Sequence, residues 1–331
     1  MALGEGRLET LDIPDAPTDL IKIPSKCLLP PSSSITDLIN FTFPSLHSNY
    51  RDTDYLASRA LLAPTNAQTK LLNEAVLELL PDVDNTKQVL SSADTVGDDD
   101  DIMMYNTDVL NQIEISGLPP HKLVLQRFAV VMLLRNLDPE RGLVNGARMI
   151  VLSFTRTLVT ARLITGNLAG TTVLIPRITL SPNDGRFPFQ LKRLQFPLKL
   201  AYCMTINKSQ GQTLKRVGLY LPEPVFDHGQ LFVAFSRVGL PADIKLLILH
   251  NASQGTFKGA DGVYTRNMVY KSILLQLGIV TPDTASISSD SFDFNHTTSP
   301  LSLPTAVDSS NCSSESEHNT DYPSSDTEGS Y

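Results

Sequence analysis

The feature that most constrains the fold is a change of rhythm along the chain. Arg59–Ala63 is a short apolar run closed by Pro64, which suits a buried strand. Thr65 is a residue type that caps helices. Leu71, Leu72, Ala75, Val76 and Leu79 then recur at helical spacing until Pro81 stops the pattern. From residue 198 the alternation resumes. Residues 198–201 and 217–221 read as strands, 227–238 as a helix, 244–249 as a strand and 266–277 as a final helix. Strands that alternate with helices predict a parallel α/β sheet. The intervening stretch differs. Strand-like segments at 123–126, 130–134, 148–154, 159–164 and 172–175 are separated by turn signals such as Pro119-Pro120, Asn145-Gly146 and Gly166-Asn167. Short strands at such close spacing predict a small β-barrel. The expected architecture is one α/β domain, 56–106 with 198–280, interrupted by a β-rich insertion at 107–197. Residues 1–55 read as a loop-rich lead-in with one helix near 34–41.

Charge sorts the chain further. From Thr281 onward there are nine acids and no Lys or Arg, among Ser, Thr and Asn. Such a stretch cannot bury enough apolar surface to offset the entropy of ordering, so 281–331 is expected to be a disordered acidic tail. The whole-chain charge of −8 therefore leaves +1 for residues 1–280. Residues 98–101 are four consecutive Asp and read as a solvated loop, and the body outside them is net basic at +5. That balance suits a polyanionic partner. No run of about 18 apolar residues occurs, so no membrane span is expected. The first dozen residues lack a signal-peptide pattern and read as an internal segment of a longer protein. Cys27, Cys203 and Cys312 are scattered, which supports neither a disulfide framework nor a metal site and fits an intracellular compartment.

Two stretches could carry chemistry. Residues 204–214 (MTINKSQGQTL) cluster small and polar side chains. Thr205, Ser209 and Thr213 offer hydroxyls, Lys208 offers charge, and amides beside Gly211 can approach an anion. Taken alone, this is an ordinary polar loop. In residues 228–237 (HGQLFVAFSR), Leu231, Ala234 and Phe235 share a helical face and Arg237 follows at its end. A guanidinium there can reach a phosphate on a neighbouring domain. It can equally do no more than complement the helix dipole. His228 has no nucleophile or carboxylate pattern beside it and reads as a capping or packing residue, and His121, after Pro119-Pro120, reads as a loop residue.

Together, and in this order, the two stretches closely resemble helicase motifs V and VI of the Pif-like and RecD-like DNA helicases of superfamily one. Residues 59–66 (RALLAPTN) resemble motif IV. Residues 116–123, 131–138 and 142–146 resemble the inserted 2B subdomain of that group, and 38–43, 187–196 and 264–270 continue the likeness. The resemblance spans roughly residues 35–275 and implies a second RecA-like domain with an SH3-like insertion. It implies that Arg237 is the arginine finger that stabilises charge on the γ-phosphate of ATP. Gln210 and Gly211 would lie by the nucleotide and couple it to DNA. Thr205 and Lys208 would face the DNA backbone, and Thr65 and Asn66 would hold a single strand through its phosphates, contacts that are sequence-independent and salt-sensitive. The implied partners are single-stranded DNA or a forked duplex, with ATP and Mg²⁺ as cofactors. The implied activity is 5′ to 3′ unwinding in repair, recombination or telomere maintenance, in the nucleus. Asn207 stands where many relatives carry His, and Phe235 where Leu is usual.

One motif is missing. No G-x-x-x-x-G-K-[ST] occurs, and Gly166 and Gly170 have a similar spacing without the Lys. No acidic pair of the Walker-B type is evident. The first motor domain is therefore expected to lie outside these residues, and this chain alone is expected neither to hold ATP nor to hydrolyse it. Three readings follow: the back half of a helicase motor, a non-catalytic single-strand-binding remnant of one, or an interaction protein built on the acidic tail.

Overall fold

The computed structural model describes residues 3–6, 8–11, 17–82, 85–97, 106–115, 117–182, 189–270 and 274. The 98–101 run, the acidic stretch from 281 and all but Leu274 of 271–280 lie outside the described residues.

Four parallel strands form the sheet that the alternating rhythm predicts. Their order is Cys203–Thr205, Arg59–Ala63, Arg216–Leu221, Ile244–Ile248. Arg59–Ala63 is internal, with Ala60 to Ala63 fully buried, which is why it reads as an unbroken apolar run. Helix Ile35–Thr42 packs on the strands at 216–221 and 244–248, and helix Asn66–Glu78 packs on those at 203–205 and 59–63. Both helices start on a capping box, Ser34 with Asp37 and Thr65 with Gln68. Gly218 lets the first helix approach closely, because a Cβ there would collide with Thr42 and lie 2.7 Å from a Leu61 methyl.

The intervening segment builds a five-stranded antiparallel sheet in the order Leu198–Leu200, Val130–Leu133, Arg148–Phe154, Leu158–Leu163, Thr172–Pro176. It has a separate apolar cluster including Leu133, Met149, Val151, Val159 and Phe196. Ile178–Leu180, Leu191–Gln195 and Ala93–Val96 form a smaller antiparallel sheet, and Gln88–Ser91 pairs with Lys122–Leu125. Leu20–Ile23 pairs with Val263–Arg266.

Several expectations change. The strand near 198–201 does not join the parallel sheet. It pairs antiparallel with Val130–Leu133, and the parallel edge strand begins at Cys203, just past it. Tyr202 makes the switch: its hydroxyl accepts from the Val130 amide at 3.0 Å while its carbonyl accepts from the Leu61 amide at 2.9 Å. Residues 88–91 and 93–96, assigned to the α/β part by their position in sequence, pair instead with strands of the intervening segment. The helix at 227–238 shrinks to Gln230–Phe235, because Gly229 enters it at φ +69°. The helix expected from 266 does not begin there. Val263–Arg266 is a strand and 267–270 is non-helical, because pairing with Leu20–Ile23 overrides the local apolar spacing. The lead-in also carries more structure than expected, including that strand and the short helices Leu46–Asn49 and Thr53–Ala57. Among the described residues, no helix is long and apolar enough to cross a membrane.

Candidate functional site

In open parallel sheets, ligands sit beyond the carboxyl ends of the strands. Thr205 pairs with Ala63, so two neighbouring strands end side by side. One leads into Pro64, Thr65 and Asn66, and the other into the loop from Ile206. Thr65 spends its hydroxyl as a cap, accepting from the Gln68 amide at 3.3 Å, while its own amide donates to Gln68 Oε1 at 3.1 Å. Asn66 follows fully exposed on the first helical turn, and Thr205 is half-buried.

The loop is a built structure. Ile206–Ser209 is one 3₁₀ turn. The Ser209 hydroxyl donates back to the Ile206 carbonyl at 2.6 Å, and the Gln212 amide donates to the Ser209 carbonyl at 3.0 Å. Lys208, Gln210 and Gly211 stand exposed on its rim. Gly211 has φ +80° with open space where a Cβ would be, so the backbone conformation itself favours Gly.

Arg237 joins this loop to the helix at 230–235. Its Nε donates to the Val233 carbonyl at 2.8 Å. Its Nη1 donates to the carbonyls of Gln212 at 2.9 Å and Ser209 at 3.2 Å, and its Nη2 to the Ser236 hydroxyl at 2.7 Å. A guanidinium has five hydrogens. Among the described residues, four are committed, and one Nη2 hydrogen is left for a ligand. The side chain is half-buried, and burial pulls its pKa below the usual arginine value. The loop residues 205–212 and Arg237 are thus one assembly, and Thr65 and Asn66 sit at the adjoining strand end.

Two residues of this region escape a reading of the sequence. Asn73 lies buried on helix Asn66–Glu78. Its Nδ2 donates to the carbonyls of Cys203 and Thr69, both at 2.9 Å, and its Oδ1 accepts from the Cys203 amide at 2.9 Å. The carboxamide therefore fills the place of a further strand along the sheet edge. A polar residue within the helix's apolar stripe was the available signal. Lys199 is half-buried; burial, and then the charge of Lys208, lower its pKa.

Other candidates fall elsewhere. Gly166 and Gly170 form the turn between two strands of the antiparallel sheet, at φ +84° and +91°. His228 stacks on Tyr270 at 5.2 Å, and its Nδ1 accepts from the Tyr270 amide at 3.0 Å. His121 Nδ1 lies 2.8 Å from the Ser92 hydroxyl, beside the buried Asp94–Arg193 pair. Among the described residues, no group of three His, Cys, Asp or Glu could hold a metal ion.

Residues 108–154 match the family described as DNA helicase Pif1, 2B domain. Over 172 residues the chain is 36% identical to the ATP-dependent DNA helicase PIF1 of Xenopus laevis, covering 51% of this chain and 24% of that one. Over 120 residues it is 44% identical to the human protein, covering 35% and 18%. These stretches are similar to Pif1 helicases. The match spans about a quarter of the length of the Xenopus PIF1. Among solved structures, Pif1 helicase from Candida albicans aligns with a TM-score of 0.46 at 24% identity, covering 74% of this chain and 57% of that one. Bacteroides Pif1 bound to single-stranded DNA aligns at 0.44 and 23%, covering 66% and 49%. The 2B match falls on the helix at 107–112 and the strands from 122 to 154.

Proposed function

We propose that this chain supplies the second motor domain of a Pif1-type, ATP-driven 5′ to 3′ DNA helicase. The parallel sheet is read as RecA-like and the antiparallel insertion as its SH3-like 2B subdomain. The observation that carries the reading is the bonding of Arg237 to the backbone of the 205–212 loop. One side chain is bonded to the loop that would track the strand and keeps one hydrogen for the γ-phosphate it would meet. ATP would supply the free energy of stepping and, with Mg²⁺, the reacting phosphate. The residues present fit only one end of that group. Arg237 offers charge and a spare hydrogen, while neither a phosphate-loop motif nor an acidic pair of the Walker-B type is evident in these residues. Gln210 and Gly211 would lie by the nucleotide. Thr65, Asn66, Thr205 and Lys208 would contact strand phosphates, giving affinity without sequence preference. Genome maintenance in the nucleus, as in repair, recombination or telomere upkeep, is the setting this reading favours.

A second reading is a non-catalytic single-strand-binding remnant of such a helicase, in which the contacts at Thr65, Asn66, Thr205 and Lys208 persist without turnover. One titration set separates them. The purified chain should bind oligothymidylate, more weakly as salt rises, and Lys208→Gln should weaken binding and flatten the salt slope by about 0.7. It should show no ATP turnover alone and should gain strand-stimulated turnover when a phosphate-loop motor domain is fused ahead of it. No strand binding even at low salt would sink both readings. Binding without any turnover in the fusion would leave the remnant.

A further inference from the structure

A second cluster suited to nucleic acid lies at the other end of the parallel strands, where they start. Tyr50 and Arg51 follow the short helix Leu46–Asn49. Arg127 and Phe128 are the middle of a reverse turn closed by the Ala129 amide on the Gln126 carbonyl at 3.1 Å. The Tyr50 and Phe128 rings meet edge to face at 5.5 Å. The Arg51 guanidinium lies over both, 5.0 Å from the Tyr50 centroid and 4.7 Å from the Phe128 centroid, and that of Arg127 lies 4.8 Å from Phe128.

Two features set the cluster apart from ordinary packing. Phe128 has φ +68°, a conformation that favours Gly and is an outlier for a bulky side chain. The surroundings hold it there: its amide donates to the Val151 carbonyl at 2.7 Å, and its carbonyl accepts from the Tyr202 hydroxyl at 3.4 Å. Strain of this kind gathers at ligand-binding turns. The second feature is charge. Arg51 is exposed and, among the described residues, has no hydrogen-bond or carboxylate partner for its side chain. The neighbouring Asp52 carboxylate is already engaged, capping the amides of Asp54 and Tyr55 at 3.0 Å each. Two rings thus lie against the guanidinium while its donors stay unspent. A pre-set planar fork is the geometry that phosphate oxygens take in pairs.

We propose that Arg51, held by Tyr50 and the strained Phe128, is a second phosphate contact for the same single DNA strand. This rests on the strand-binding reading above. Helix Thr53–Ala57 leads from Arg51 to the start of Arg59–Ala63, and Tyr202, which bonds Phe128, precedes Cys203. The cluster therefore flanks the strand starts, whereas Thr65, Asn66 and Lys208 follow the strand ends. Five residues of strand separate the two ends by about 15 Å. A short oligonucleotide engages one end, and a long one can engage both.

The test is fluorescence anisotropy of the full chain with labelled oligothymidylates of increasing length, over a salt series. Arg51→Gln should match the wild type on short strands. On long ones it should bind about fivefold more weakly, with a salt slope lower by about 0.7. Phe128→Leu keeps an apolar side chain on the turn but removes the ring face, and should give a smaller loss on long strands only. Equal affinities of Arg51→Gln and wild type at every length, while Lys208→Gln weakens binding, would overturn this proposal alone. A loss that appears for polyglutamate and not for the oligonucleotides would assign the cluster to an acidic protein and overturn it too. No strand binding by the wild type at low salt would remove it together with the reading it rests on.

Discussion

Arg237 has two demands on one guanidinium. Three of its five hydrogens hold backbone carbonyls at residues 209, 212 and 233, yet the proposed role needs it to reach a phosphate. Removing it leaves carbonyls of a half-buried loop short of donors, at about 1–3 kcal/mol. Arg237→Lys keeps the charge but cannot fork to several carbonyls. Both Arg237→Ala and Arg237→Lys should therefore lower the urea midpoint, and Lys should recover less than half of the loss. Full recovery by Lys would show that charge, not the fork, holds the loop. Arg237 could be named from the sequence because a guanidinium ends an amphipathic run. Its partners could not, because they are main-chain carbonyls, which every residue carries.

At the scale of elements, local chemistry wrote most of what was legible. Thr65 and Ser34 cap the helices they precede, Arg59–Ala63 is the buried strand its apolar run announces, and Gly211 takes the positive φ that a tight loop needs. Apart from the helix that Gly229 shortens, the misreadings share one cause, pairing across long sequence separation. Val263–Arg266 becomes a strand because Leu20–Ile23 lies beside it, some 240 residues away by number. Residues 198–200 leave the parallel sheet because Val130–Leu133 takes them. Asn73 belongs to the same class, since its partner Cys203 is 130 residues distant. By bonding both main-chain groups of Cys203, it sets helix Asn66–Glu78, and with it Thr65 and Asn66, against the strand that leads to Thr205 and Lys208. Asn73→Ala should cost about 2–4 kcal/mol through two buried, unpaired groups. It should also speed hydrogen exchange at the Cys203 amide far more than at Leu61, an amide bonded to the Tyr202 carbonyl. Equal acceleration at both amides would mean general loosening and would remove the clamp.

At the scale of the whole molecule, the two large sheets are joined by buried polar side chains as well as by apolar contact. Arg148, fully buried on the antiparallel sheet, donates to the carbonyls of Leu56, Ala57 and Arg59 at 3.2–3.3 Å, at the mouth of the parallel strand. Tyr202, also fully buried, bonds across the same seam. Such groups have a pH signature. Burial raises the Tyr202 and Cys203 acids well above their ordinary values, Cys27 to about 11 and Tyr55 to about 12. The folded state therefore holds these protons more tightly than the unfolded chain does. Their contribution is complete below the unfolded values, 9.0 for Cys and 10.0 for Tyr, and is lost as pH rises through the folded ones. Arg148 acts in the opposite sense, because burial lowers it from 12.5 to about 10, and there the folded state gives up its proton first. Between pH 9 and 10 the cysteines act without that opposition. Stability measured by urea midpoint should start to fall above pH 9, by up to about 1.4 kcal/mol per pH unit for a fully buried acid such as Cys203. Cys203→Ala should flatten the decline while changing the midpoint at pH 7 only through lost packing. A midpoint that stays level from pH 8 to 10 in the wild type would mean that these acids ionise without unfolding the seam.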